Sequence, residues 1–173
     1  MHYIFYFLQL ISPDSYSGMA SAPSVSVYER SYEEMNSRAA QENREATCLS
    51  KIAYFEARGK SEGKKGMILV GAVTLNRVKS KGYGGSVCSV MRKKNAYSWY
   101  SDGLSDIPKD KERYKLARTV AKELLSGRYK STLPSKVLYF KNCNTESAFF
   151  DKLRLYSRHS NHCFYYQKEE RNS

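Results

Sequence analysis

Among the acidic side chains of this sequence, Glu56 is set apart by its spacing. Cys48, Ile52 and Glu56 recur every four residues with Leu49 and Ala53 beside them, so a helix through this stretch carries the carboxyl on its apolar face. Burial against apolar groups raises a carboxyl pKa. A carboxylic acid still protonated near neutral pH is what the leaving oxygen of a glycosidic bond requires. Taken alone, a glutamate near a helix end is more often solvated or salt-bridged, here with Arg58 or Lys60. Tyr97 and Trp99, with Ser98 between them, offer a flat wall and a hydroxyl to a sugar ring, although a lone Trp serves equally well as core. Asp102 precedes Gly103 and shapes a turn or touches the sugar; Glu62 and Asp106 read as solvated loop residues. Asn76, polar at the end of an apolar run, either caps backbone groups or points its amide at a substrate. His162 and Tyr165 alternate along a strand with Asn161 and Phe164, so the four cannot share one face. His162 and Tyr139 are residues more often found as satisfied buried groups than as contacts to a ligand.

The elements that must position these residues follow from periodicity and punctuation. Thr47 is a plausible N-cap for the helix that carries Glu56, which stops at Gly59 before a basic loop from Lys60 to Lys65. Met67 to Val78 is apolar almost all round, as expected of a central helix, and is interrupted near its end by Asn76 and Arg77. A third, amphipathic helix is predicted over 108–126, with Tyr114, Ala117, Val120, Ala121, Leu124 and Leu125 on one side and Gly127 closing it. The β-prone runs Val137–Phe140 and Cys163–Tyr166 are placed to pair as a small ribbon. The fold class is α+β, mainly helical. One domain spans residues 46–167, after a flexible leader over 1–45 and before a tail over 168–173.

The chain has 173 residues and a net charge of +12, unevenly spread. Residues 1–50 hold six acids and three bases, and the remainder hold eleven and twenty-six, so the body carries +15 against −3 for the leader. A strongly basic body calls for an anionic partner: nucleic acid, an anionic lipid surface or an acidic cell wall. Tyrosines beside Lys or Arg, as in Arg128-Tyr129-Lys130 and Arg154-Leu155-Tyr156, suit nucleic acid, but no helix-turn-helix, RRM-type or zinc-finger signature accompanies them. Cys48, Cys88, Cys143 and Cys163 lack metal-knuckle spacing, so neither a metal nor any other cofactor is expected; two disulfides and four free thiols stay equally open. The apolar run Ile4–Ile11 is too short to span a bilayer as a helix and has no basic residue before it, which makes it a weak signal segment or an ordinary hydrophobic start. Residues from Ser12 to about Val27 read as a linker, and those from Tyr28 to Ala46 as polar and compatible with a helix that lacks a clear apolar stripe.

Several short motifs occur in a fixed order: Tyr54-Phe55-Glu56-Ala57-Arg58-Gly59, Val73-Thr74-Leu75-Asn76-Arg77-Val78, Val87-Cys88-Ser89-Val90, Tyr97-Ser98-Trp99-Tyr100-Ser101-Asp102-Gly103, Val137-Leu138-Tyr139-Phe140 and Ser160-Asn161-His162-Cys163-Phe164-Tyr165. Across about 120 residues this series resembles the cell-wall hydrolase family typified by the spore cortex-lytic enzyme (SleB-like proteins). The resemblance implies a lysozyme-like domain with a small β ribbon, Glu56 as general acid, and cleavage of peptidoglycan glycan strands between N-acetylmuramic acid and N-acetylglucosamine. It also implies a 1,6-anhydro product, since one carboxyl can protonate the leaving oxygen and then, as carboxylate, take the proton of the muramate C6 hydroxyl. Asn76, Tyr97, Ser98, Trp99, Asp102, Tyr139, His162 and Tyr165 are the corresponding candidates for substrate contact.

The departures from the family pattern are specific. Lys60 stands where a second Glu often follows Gly59, and the loop to Gly66 is about two residues longer than usual. Ser101 replaces a Cys that could otherwise bond Cys88, Lys141 replaces a His expected after the strand, and Ser160 replaces Gly. No specific nucleic acid is expected as partner. A single basic domain without a separate wall-binding module resembles a phage endolysin, with a periplasmic wall-remodelling enzyme as the alternative. The expected site of action is secreted or periplasmic.

Overall fold

The computed structural model describes residues 25–129 and 133–167. The apolar run Ile4–Ile11, most of the linker and the tail from 168 lie outside the described residues. Helix α1 runs Val25–Glu56, α2 Gly63–Lys79, α3 Val87–Arg92 and α4 Lys111–Leu125; strands β1 Val137–Asn142, β2 Leu155–His159 and β3 His162–Tyr166 follow. Two short 3₁₀ turns, Ser98–Ser101 and Phe150–Lys152, interrupt the connections. The chain divides into two units at residues 37/38.

The predicted helix start at Thr47 is corrected by α1, which is already helical from Val25. Thr47 is an interior residue whose hydroxyl donates to the Asn43 carbonyl 2.8 Å away, a bond a helix accommodates one turn back. The apolar pattern begins there because burial begins there: side chains 26–44 are exposed and Cys48, Leu49 and Ser50 are buried. Helix α2 starts four residues earlier than its apolar run and is buried from Gly66 to Thr74. Gly71 lets α4 approach closely, since a Cβ there would lie 2.5 Å from Leu124 Cδ1. Helix α4 is capped by Asp110, whose carboxylate accepts from the Arg113 N–H at 3.0 Å.

The two β-prone runs do pair antiparallel, as β1 with β3, and β2 completes a sheet in the order β1-β3-β2. As the central strand, β3 is buried on both faces from His162 to Tyr165. The sheet lies against α2, where Phe164 and Val137 pack on Leu69, Ala72 and Val73. The main core joins α1, α2, α3 and α4 around Leu49, Ile52, Met67, Val70, Val90 and Val120. All four cysteines are bonded. Cys48–Cys88 ties α1 to α3, and Cys143–Cys163 ties the segment after β1 to β3. No described helix is long and apolar enough to cross a membrane.

Candidate active site

Glu56 is the last residue of α1 and looks into a cleft of about 430 Å³ lined from four directions. Phe55 comes from the end of α1, Arg58 and Gly59 from the loop just after it, Arg77 from α2, Ala96, Tyr97 and Ser98 from the approach to and start of the first 3₁₀ turn, and Phe140, Lys141, Asn142 and His162 from the sheet, with Asn161 from the turn before β3. The carboxyl keeps a face on the cleft but is desolvated elsewhere, and that burial pushes its pKa from the ordinary 4.5 up to about 7. Arg77, then Arg58, then the Trp99 indole N–H pull in the opposite direction, and burial outweighs them.

Arg77 is the cation behind the site. It is buried; its Nε donates to the Leu138 carbonyl at 2.8 Å and Nη1 to the Ala96 carbonyl at 3.2 Å. Its guanidinium also lies over the rings of Tyr83, Tyr97 and Phe140. These contacts lock β1 and the 96–99 segment to α2 and hold a positive charge near Glu56. Tyr97 is 3% exposed and shares a 2.7 Å hydroxyl–hydroxyl bond with Thr74; burial raises its pKa.

The structure brings only some of the predicted contacts together. Tyr97, Ser98 and His162 line the cleft with Glu56. Trp99 and Asp102 line a neighbouring hollow of about 500 Å³, with Tyr54, Leu104, Ile107, Lys109 and Arg113; Phe55 and Arg58 belong to both cavities. Trp99 is 4% exposed and stacked on Phe55 at 4.6 Å, so it supports the floor beneath the carboxyl. Its Nε1 is sealed from solvent with no aligned acceptor. Asp102 accepts from the Leu104 N–H at 2.9 Å, the turn alternative.

Asn76, Tyr139 and Tyr165 line neither cavity and are held in other contacts. The Asn76 amide donates to the carbonyls of Pro134 and Val137, at 2.8 and 3.1 Å, and so clamps the entry to β1 on α2. Tyr139 packs on Phe149 and Phe150 and hydrogen-bonds Tyr83, whose pKa burial and that bond push up to about 12. Tyr165 packs edge-on to Phe150 on the other side of the sheet from His162.

Glu62 is the largest correction. Expected in solvent, it is 2% exposed and lines the cleft. Its Oε1 accepts from the Asn161 N–H at 3.0 Å, its Oε2 lies 3.0 Å from His162 Nδ1, and its carbonyl lies 3.2 Å from His159 Nε2. Gly66 makes the space: a Cβ there would lie 2.6 Å from Oε2. The signal for Glu62 was the loop about two residues longer than usual together with the missing acid at Lys60, because a two-residue slide puts the second carboxylate at Glu62.

A family model described as Cell Wall Hydrolase matches residues 61–165, a span that begins beyond Glu56. No curated protein matches the chain. Two solved structures resemble the fold. The catalytic domain of the germination-specific lytic transglycosylase SleB from Bacillus anthracis matches with a TM-score of 0.56 at 20% identity, covering 70% of this chain and 93% of that one. The catalytic domain of the Bacillus cereus SleB protein matches with a TM-score of 0.52 at 19% identity, covering 71% and 90%. Both share the helical body with its small sheet, and with the family match over most of the second unit, the chain belongs to the cell wall hydrolase family.

Proposed function

We propose that this protein cuts the glycan strands of peptidoglycan between N-acetylmuramic acid and N-acetylglucosamine, as a lytic transglycosylase with Glu56 as general acid. The observation that carries this reading is a carboxyl at the end of α1, open to a cleft and with a pKa pushed up to about 7 by burial, so that a substantial fraction keeps its proton near neutral pH. The second carboxylate of the cleft, Glu62, has one oxygen on the Asn161 N–H and the other beside His162. It is therefore not free to activate water or to attack carbon directly, as a two-carboxylate glycosidase requires. An intramolecular nucleophile, the muramate C6 hydroxyl, needs neither. The basic body supplies attraction to an anionic wall or membrane surface. Two disulfides accord with action in an oxidising setting, secreted or in the periplasm, either as a phage endolysin or as a wall-remodelling enzyme.

Glu56→Gln preserves shape and removes the transferable proton. It is expected to bind peptidoglycan and to cut it ~100-fold to ~10,000-fold more slowly. Mass spectrometry of the wild-type digest should show muropeptides one water lighter than reducing-end products. Reducing ends would replace the transglycosylase by a hydrolytic muramidase, and full activity of Glu56→Gln would remove the glycosidase reading altogether.

A further inference from the structure

If one carboxyl both gives and takes the proton, Glu56 must serve the leaving oxygen and the attacking hydroxyl in turn. The cleft contains another proton acceptor. His162 is 9% exposed and held edge-on against Phe140. Its Nδ1 and Glu62 Oε2 are 3.0 Å apart, short of straight alignment, and neither atom has any other partner among the described residues. Each is thus the only group that can satisfy the other. Glu62 cannot easily turn away, because Asn161 N–H fixes its second oxygen and Gly66 and Gly59 close over its stem.

A carboxylate beside Nδ1 selects the tautomer in which that nitrogen carries the hydrogen. In a neutral ring the other nitrogen, Nε2, then holds a bare lone pair. It diverges from Nδ1, is not among the side-chain atoms sealed from solvent, and belongs to a residue that lines the cleft. The remaining side chains of the cleft offer guanidinium, ammonium, amide, hydroxyl and aromatic groups. His162 is the one nitrogen base among them.

Building on the transglycosylase reading above, we infer that His162 accepts the proton of the attacking C6 hydroxyl and that Glu62 is the positioning residue that keeps its lone pair turned into the cleft. Glu56 gives its proton to the glycosidic oxygen as the bond from that oxygen to C1 breaks and its electron pair stays on the oxygen. The C6 oxygen bonds C1, and its hydrogen passes to Nε2. The resulting imidazolium is held by the Glu62 carboxylate until the proton returns to Glu56, directly or through solvent, leaving both groups as they began. No water is consumed.

The test uses the full chain on purified peptidoglycan. His162→Gln and Glu62→Gln are each expected to lower kcat ~100-fold or more with KM within about threefold. In Glu62→Gln an amide NH₂ facing Nδ1 forces the hydrogen onto Nε2, so an acceptor becomes a donor. The double variant should be no slower than His162→Gln alone, since Glu62 acts only through the ring. Nitrogen-15 NMR of the imidazole should find the hydrogen on Nδ1 in the wild type and on Nε2 in Glu62→Gln. Near-UV circular dichroism checks the fold; if His162→Gln unfolds, the near-isosteric Glu62→Gln and the wild-type ring spectrum decide. A ring protonated on both nitrogens, kcat within about threefold of wild type in either variant, or additive losses in the double variant would overturn the assignment. A wild-type enzyme that releases no glycan fragments would instead sink the transglycosylase reading on which it rests.

Discussion

Glu56 sits where an ionised carboxylate is disfavoured by lost water and only partly compensated by Arg77, Arg58 and the Trp99 N–H. Its folded pKa lies above the unfolded one, so the native state holds a proton that the unfolded chain has released between pH 4.5 and about 7. Below 4.5 both states are protonated and the residue costs nothing; as pH rises through about 7 the stability is lost. Glu56→Gln should therefore match the wild type near pH 4 and exceed it by about 3 kcal/mol at pH 8, as read from urea midpoints at the two pH values. An equal gain at both would assign the effect to packing. Wild-type cleavage should decline above about pH 7 as the acid is lost. Trp99→Phe keeps the stack on Phe55 and removes an N–H that favours the carboxylate, so that alkaline limb should move to higher pH; an unmoved limb would show that the indole does not act on Glu56. Glu56 was legible in the sequence because its burial follows from a four-residue period within one helix. Glu62 left only an indirect trace, the longer loop and the missing acid at Lys60, because its partners Asn161 and His162 are about a hundred residues away and no local pattern records its burial.

At the scale of elements, the helices and the β1–β3 pair follow from runs of apolar residues that remain buried. Strand β2 escaped because all five of its side chains, Leu155 to His159, are exposed or only half-buried, and they show no alternation of apolar and polar residues. The two-residue turn that joins β2 to β3 has Ser160 at φ 50°, where the favoured hairpin form has glycine. Ser160 Oγ donates to Ser61 Oγ at 2.5 Å, an exposed contact that ties the turn to the loop before α2. Ser160→Gly should relieve the left-handed backbone and stabilise the protein by about 0.5–1 kcal/mol, measured by thermal unfolding. A loss of stability would show that the Ser61 bond outweighs the backbone cost. The length of α1 was hidden for a related reason, since an exposed helix of charged residues displays no apolar stripe.

For the whole molecule, the unit boundary near residue 38 and the bond from the Val87 N–H to the Glu45 carboxylate set how much of the leader the domain needs. Removing residues 1–40 spares that bond and both disulfides, and should leave cooperative unfolding and cleavage within about twofold of the full chain; a non-cooperative melt would place the leader in the core. The remaining consequence comes from Phe55 and Arg58, which border both the Glu56 cleft and the hollow beside Leu104 and Ile107. A glycan strand lying in both would have to cross that ridge beside the acid, so the proposed activity should depend on the length of the strand. On the proposed reading, fragments long enough to fill only one side should bind more weakly than longer ones that reach across the ridge. Turnover of glycan oligomers of increasing length should climb steeply and then level off once both sides are filled, and a rate indifferent to length would mean that the second hollow takes no sugar.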